Sequence, residues 1–201
     1  MDHTFLPPTG IFGEVWYHPI NIELHIREKT TKGGIIMLSK AMVDNLNEQI
    51  QLESYSSNLY LQMSAWAEVK GLEGCAAFLR TQAQDELTHM HRLFKYVYET
   101  GALPVIGTIK APPTKFKSVS EVFQQVFEHE KFITGKINAL MSLALKEQDH
   151  STANFLQWYV AEQHEEEHTM QQILDRIKNI GETGSGVYFI DRAIGALAGG
   201  K

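Results

Sequence analysis

Residues 39–70 read SKAMVDNLNEQIQLESYSSNLYLQMSAWAEVK, and residues 71–100 continue GLEGCAAFLRTQAQDELTHMHRLFKYVYET. In the first stretch Met42, Leu46, Ile50, Glu53, Leu61 and Trp66 return at helical spacing, and no proline intervenes before Pro104. Gly71 and Gly74 divide the run. It therefore predicts one helix over Lys40–Lys70 and a second over Glu73–Thr100, with Gly101 just past the end of the second. A helix of nearly thirty residues is about 42 Å long at 1.5 Å per residue, a length suited to a helical bundle.

Further along, residues 101–117 hold Pro104, Pro112 and Pro113 and no helical period, and they read as a long connection. Ser118 and Glu121 form a capping-box pattern that opens a third helix reaching about Gln148. A fourth runs from Ser151 to Ile180 and stops at Gly181. Gly184 and Gly186 then precede a short apolar helix over Val187–Leu197. Links of about two residues make helices one and two, and again three and four, antiparallel neighbours, whereas the connection at 101–117 is long enough to travel the bundle. The fold class is all-α: a four-helix bundle with one long crossover between helices two and three, plus a short fifth helix at the C-terminus. The apolar face of that last helix, with Val187, Phe189, Ile190, Ile194 and Leu197, is expected to serve assembly, because one bundle does not easily bury it.

Composition narrows the function classes. The chain has 201 residues, 43% of them hydrophobic and 21% charged, which is ordinary for a globular protein. Its single cysteine, Cys75, excludes an internal disulfide framework and a cysteine-based zinc site, and it fits a reducing compartment. A formal net charge of −6 disfavours an electrostatic nucleic-acid binder and favours cationic ligands. No apolar run approaches the roughly 18 residues of a membrane helix, and the N-terminus has no secretory-signal pattern.

Residues 1–36 differ from the rest. Pro7, Pro8, Gly10, Gly13, Pro19, Gly33 and Gly34 interrupt every short apolar run there. Lys32-Gly33-Gly34 is what the ribosome-binding sequence AAA-GGA-GGT would encode, two isoleucine codons ahead of Met37. Translation is accordingly expected to begin at Met37, with residues 1–36 an unstructured or over-extended reading frame and residues 37–201 the folded domain.

Acidic residues fall where a bundle should be apolar. A carboxylate in a core costs several kcal/mol unless it is paired, protonated or bound to a cation. Glu53 lies on the helix-one stripe, and Tyr60, seven residues on, shares its face. Helix two carries Glu86 and His89 at i and i+3, able to grip one ion. Helix three offers Glu130, and helix four holds Glu162-Gln163-His164-Glu165-Glu166-Glu167-His168. Taken alone, the Glu165–Glu167 run reads as a solvated face and one Glu-x-x-His is a weak motif. Their depth changes the argument. Each helix places its acid about eleven to fifteen residues in, so at 1.5 Å per residue the four heights agree within a few Å. Carboxylates with one imidazole and no thiolate suit iron or manganese better than structural zinc. Di-iron bundles take one Glu from each of two helices and a Glu-x-x-His from each of the other two. Glu86 and His89 supply the first such pair, and either Glu165-x-x-His168 or Gln163-x-x-Glu166 could supply the second.

Several motifs carry a family resemblance: Asn47-Glu48-Gln49, Leu52-Glu53-Ser54-Tyr55-Ser56-Ser57, Gln62-Met63-Ser64-Ala65-Trp66, Glu86-x-x-His89, and Asn154-Phe155-Leu156-Gln157-Trp158-Tyr159-Val160 running on to Glu162–Glu167. Together with Gly186-Val187-Tyr188-Phe189-Ile190-Asp191, they resemble the bacterial non-haem ferritins from Met37 to about Ala198. The resemblance implies a cytoplasmic iron store, a homo-oligomeric cage of 24 subunits whose ferroxidase centres oxidise Fe(II) with dioxygen or hydrogen peroxide. It also implies a first iron held by Glu53, Glu86 and His89. Glu86 would bridge to a second iron held by Glu130 and, through Gln163 and Glu166, by helix four. A third, looser iron would use Glu162, Glu165 and Glu166 with Asp85, which stands where relatives often have Glu. Tyr60 would be the tyrosine beside the centre, and Trp158 a second possible electron donor.

Close rivals are set apart by single features. A bacterioferritin would bind haem through a methionine directly after the bridging Glu, where this chain has Leu87, so no haem is expected. A DNA-protecting mini-ferritin lacks a fifth C-terminal helix, and a rubrerythrin-type oxidase or peroxidase would carry a Cys-x-x-Cys iron module that is absent here.

Overall fold

A computed structural model describes residues 38–198 of the chain. The expectation that residues 1–36 are an unstructured or over-extended reading frame lies outside the described residues. Five helices follow in order: α1 Lys40–Val69, α2 Glu73–Glu99, α3 Val119–Lys146, α4 His150–Ile180 and α5 Gly186–Gly195. They form the four-helix bundle with one crossover and a short last helix that the sequence predicts, every boundary falling within about two residues of its expected place. α1 packs along α2 and α3 along α4, α1 also touches α3, and α5 lies against α2 and α4. Among the described residues, no helix is long and apolar enough to cross a membrane.

Local chemistry accounts for the helix starts. Ser39, Ser118 and Asp149 each accept a hydrogen bond from a backbone N–H three residues on. Glu121 completes its box one residue early, accepting from Lys117 N instead of Ser118 N. Residues 70–72 turn α1 into α2 with Gly71 at φ +73°, a left-handed conformation that favours glycine.

α2 has no side-chain cap of its own. Asp191 of α5 supplies one from across the chain, accepting from Gly74 N at 3.1 Å and Cys75 N at 2.8 Å. Gly74 is therefore not the helix breaker its position suggests. A Cβ there would meet the Asp191 carbonyl oxygen at 2.1 Å and Gly195 Cα at 3.1 Å, so the absent side chain lets α5 cross closely. That crossing buries part of the α5 apolar face on its own subunit. Ile190 and Ile194 are fully buried against their own bundle, with Val187 and Leu197 packed beside them, and Phe189 and Tyr188 remain more than half exposed.

The core consists of two apolar clusters, one toward each end of the bundle. One, built around Met63, Leu79, Phe123 and Ile173, takes in α5; the other gathers Leu46, Leu93, Ile137 and Leu156. The α1 stripe also needs correction: Leu61 is 54% exposed, and Leu59, Tyr60, Met63 and Ala67 carry the buried face onward.

Candidate metal centre

Between the two clusters the buried face of every helix turns polar. Glu53, Glu86, His89, Glu130, Gln163 and Glu166 are each at most 4% exposed, and all four long helices contribute. One donor atom from each of Glu53, Glu86 and His89 lies within 4.8 Å of the other two, with His89 Nδ1 3.4 Å from Glu86 Oε2. The i, i+3 spacing of Glu86 and His89 stacks them on one face of α2. Tyr159 accounts for part of the ring's placement: its hydroxyl donates to the His89 carbonyl at 2.8 Å and its ring packs edge-on to the imidazole.

Glu130 closes the far side. Tyr60 Oη donates to Glu130 Oε1, and Gln163 Nε2 donates to Glu130 Oε2 at 3.0 Å. Glu166 is held by Gln82 Nε2 at 2.6 Å, and Glu53 Oε1 accepts from Gln49 Nε2 at 2.9 Å. Gln49 and Gln82, missed by the sequence reading, stand four residues ahead of Glu53 and Glu86. A glutamine one turn before each acid was a signal available in the sequence.

The charges sit badly with one another. Burial, then the charges of Glu130 and Glu53, push the Glu86 carboxyl well above its usual range. Burial and the charge of Glu166 raise Glu130 to about 7, against the opposing hydrogen bonds from Tyr60 and Gln163. Burial, then Glu130 and Glu86, hold the Tyr60 phenol protonated. Neither Glu53, Glu86 nor Glu130 pairs with a lysine or arginine among the described residues. Glu53 Oε2 is buried with no hydrogen-bond partner. Buried oxygen donors facing one imidazole, with one oxygen left orphaned, fit a divalent cation: it would satisfy Glu53 Oε2 and relieve the repulsion that protons otherwise relieve.

The remaining expected residues lie further out. Asp85 and Glu162 are half-buried and Glu165 is exposed, so the expected third-site acids lie outside the fully buried layer and do not join the three-donor cluster. The two candidate helix-four pairs differ in burial. Gln163 and Glu166 face the core, whereas Glu165 and His168 are exposed, His168 Nε2 meeting Gln172 at 2.9 Å. Leu87 is half-buried directly after Glu86. A cavity of about 180 Å³ between α3 and α4, lined in part by Thr134, Gln163, His164 and Glu167, reaches the flank of the centre. His129, also missed, bonds Ser56 Oγ at 2.8 Å and packs edge-on to Tyr60, and burial lowers its imidazole to about 4.

Residues 43–180 match the family model of the ferritin-like domain. A probable bacterial non-heme ferritin-like protein of Haemophilus influenzae is 52% identical over 162 residues, spanning 81% of this chain and 98% of that one. A bacterial non-heme ferritin of Escherichia coli is 51% identical over 161 residues, spanning 80% and 98%. Among solved structures, an open pore ferritin from the archaeon Archaeoglobus fulgidus superposes with a TM-score of 0.77 at 39% identity, covering 79% of this chain and 96% of that one.

Proposed function

The chain belongs to the ferritin family, and on that premise we propose that it stores and detoxifies iron by oxidising Fe(II) at the buried centre of each subunit. The observation that carries this reading is the cluster of Glu53, Glu86 and His89, whose donor atoms lie within 4.8 Å of one another with no lysine or arginine paired to either carboxylate among the described residues. In this reading Glu53, Glu86 and His89 hold the first Fe(II), and Glu86 bridges to a second held by Glu130, Gln163 and Glu166. Gln163 presents its amide hydrogen to Glu130 in the metal-free arrangement. Turning that amide over presents its oxygen to the second iron while Glu130 is released to do the same.

Two Fe(II) together supply two electrons. Dioxygen takes both with two protons to become hydrogen peroxide, or hydrogen peroxide takes both with two protons to become two waters. Tyr60 orients Glu130 through its hydroxyl and stands as a reserve electron donor. Asp85, Glu162 and Glu165, with Glu166, form the looser third iron site. The di-iron domain spans residues 37–201, works without haem in the cytoplasm, and assembles as a cage of 24 subunits.

Stopped-flow absorbance after mixing with Fe(II) in air, read beside static light scattering, tests the proposal. The expected result is a fast burst of two irons per subunit from a particle of 24 subunits' mass. A folded protein with no burst overturns the ferroxidase assignment, and the mass of a monomer or dimer overturns the cage.

A further inference from the structure

Of the redox-active aromatic side chains beside the buried centre, Tyr60 and Trp158 stand in opposite electrostatic settings, whereas Tyr159 donates its hydroxyl hydrogen to a backbone carbonyl. Tyr60 is buried and donates its hydroxyl hydrogen to Glu130. Trp158, on α4, packs edge-on against the His89 ring with centroids 5.2 Å apart. Arg92 stands three residues past His89 on the same helix, and its guanidinium carbon lies 4.3 Å from the Trp158 ring centroid and 5.7 Å from that of Phe155. Among the described residues no carboxylate pairs with this arginine. Trp66, which packs edge-on to Phe116 at 5.8 Å, has no cation over its ring among the described residues.

We propose that Arg92 keeps Trp158 reduced, so that one-electron oxidation of the protein beside the centre falls on Tyr60 and not on Trp158. The inference rests on the ferroxidase reading for its oxidant and on the ring geometry for its direction. An arginine over an intact indole is attracted by the negative face of the ring. Removing one electron turns the indole into a radical cation and the attraction into repulsion between two positive charges. Even with the full screening of water, that repulsion at this distance shifts the equilibrium about five-fold.

Tyr60 faces no such penalty. As it loses an electron its proton passes along the hydrogen bond to Glu130, leaving a neutral phenoxyl. The step balances when hydrogen peroxide meets a single Fe(II): the peroxide takes one electron from the iron and one from the side chain. With two protons from solvent it leaves as two waters, while the phenol proton rests on Glu130. Arg92 is a positioning residue in this scheme, acting through Trp158 by its charge.

The test compares the full-length protein with Arg92→Met and Arg92→Lys. Methionine retains much of the apolar stem and removes the charge, whereas lysine keeps the charge. In the metal-free protein, flash-generated tris(bipyridine)ruthenium(III) serves as the oxidant, and mass spectrometry reads oxidised Trp158 relative to oxidised Trp66. The ratio should rise about five-fold or more in Arg92→Met and stay near that of the unaltered protein in Arg92→Lys. A ratio unchanged in Arg92→Met, or raised equally in both variants, overturns the proposal. In a second arm, Fe(II) with limiting hydrogen peroxide should give a tyrosyl radical signal with intact Trp158 in the unaltered protein, and Trp158 oxidation products in Arg92→Met. Equal Trp158 oxidation in the two also overturns it. If no variant oxidises Fe(II) rapidly, the ferroxidase reading fails, and the metal-free arm still decides the role of Arg92.

Discussion

The two ends of the bundle and its middle are built by opposite rules. At the ends, Leu46, Leu79, Phe123 and Leu156 interlock in dry clusters. In the middle, the same helix faces present Glu53, Glu86, Glu130 and Glu166, fully buried and mutually repelling. Burying an uncompensated carboxylate costs several kcal/mol, whereas burying a leucine contributes about 2 kcal/mol. The middle layer therefore weakens the fold that the ends maintain, and a cation bound there would offset that cost.

The sharpest way to break this contrast is to remove the charge at its centre. Glu86→Gln should lower the rate of the Fe(II) oxidation burst by at least about a hundred-fold while thermal unfolding of the metal-free protein stays put or moves upward. A large fall in melting temperature would mean that Glu86 stabilises the fold, contrary to the comparison. The converse change lies at the ends. Leu46→Ala or Leu79→Ala, each at a fully buried site, should cost about 2–5 kcal/mol in denaturant unfolding with the burst per folded subunit retained. Loss of the burst in the folded variants would show that the two regions are not separable.

Acidity sharpens the same distinction. Glu86 and Glu130 are raised in the fold, so the folded state binds protons that the unfolded chain has already released. The contribution of Glu130 is fully present below about pH 4.5, the ordinary carboxyl value, and is lost as pH rises through about 7; that of Glu86 has the same sign. The metal-free protein should thus lose stability between these limits, and a divalent cation should restore it with release of protons. Flat metal-free stability across that window, measured by urea unfolding, would remove the electrostatic argument. The smallest effect is expected at the α5 end. Asp191→Ala should cost about 1 kcal/mol through the uncapped start of α2 and leave the burst unchanged, which hydrogen exchange at Gly74 and Cys75 would detect.

Much of this was legible in the linear chain. Hydrophobic period, glycines 71 and 181, and the Ser118 cap act within a turn or two, so helix existence and limits follow from neighbours in sequence. The depth of Glu53, Glu86 and Glu130 follows as well, because rise per residue is constant. What needed the tertiary structure was every choice between faces. Nothing local distinguishes Gln163-x-x-Glu166 from Glu165-x-x-His168, or buries Tyr60 and leaves Leu61 exposed, until the neighbouring helices fix which arc of each cylinder is covered. Only the folded chain could assign Asp191 to cap α2, 116 residues away, or set Arg92 over Trp158. Sequence spacing governs contacts along one helix, and contacts between helices depend on the rotation and crossing that packing alone decides.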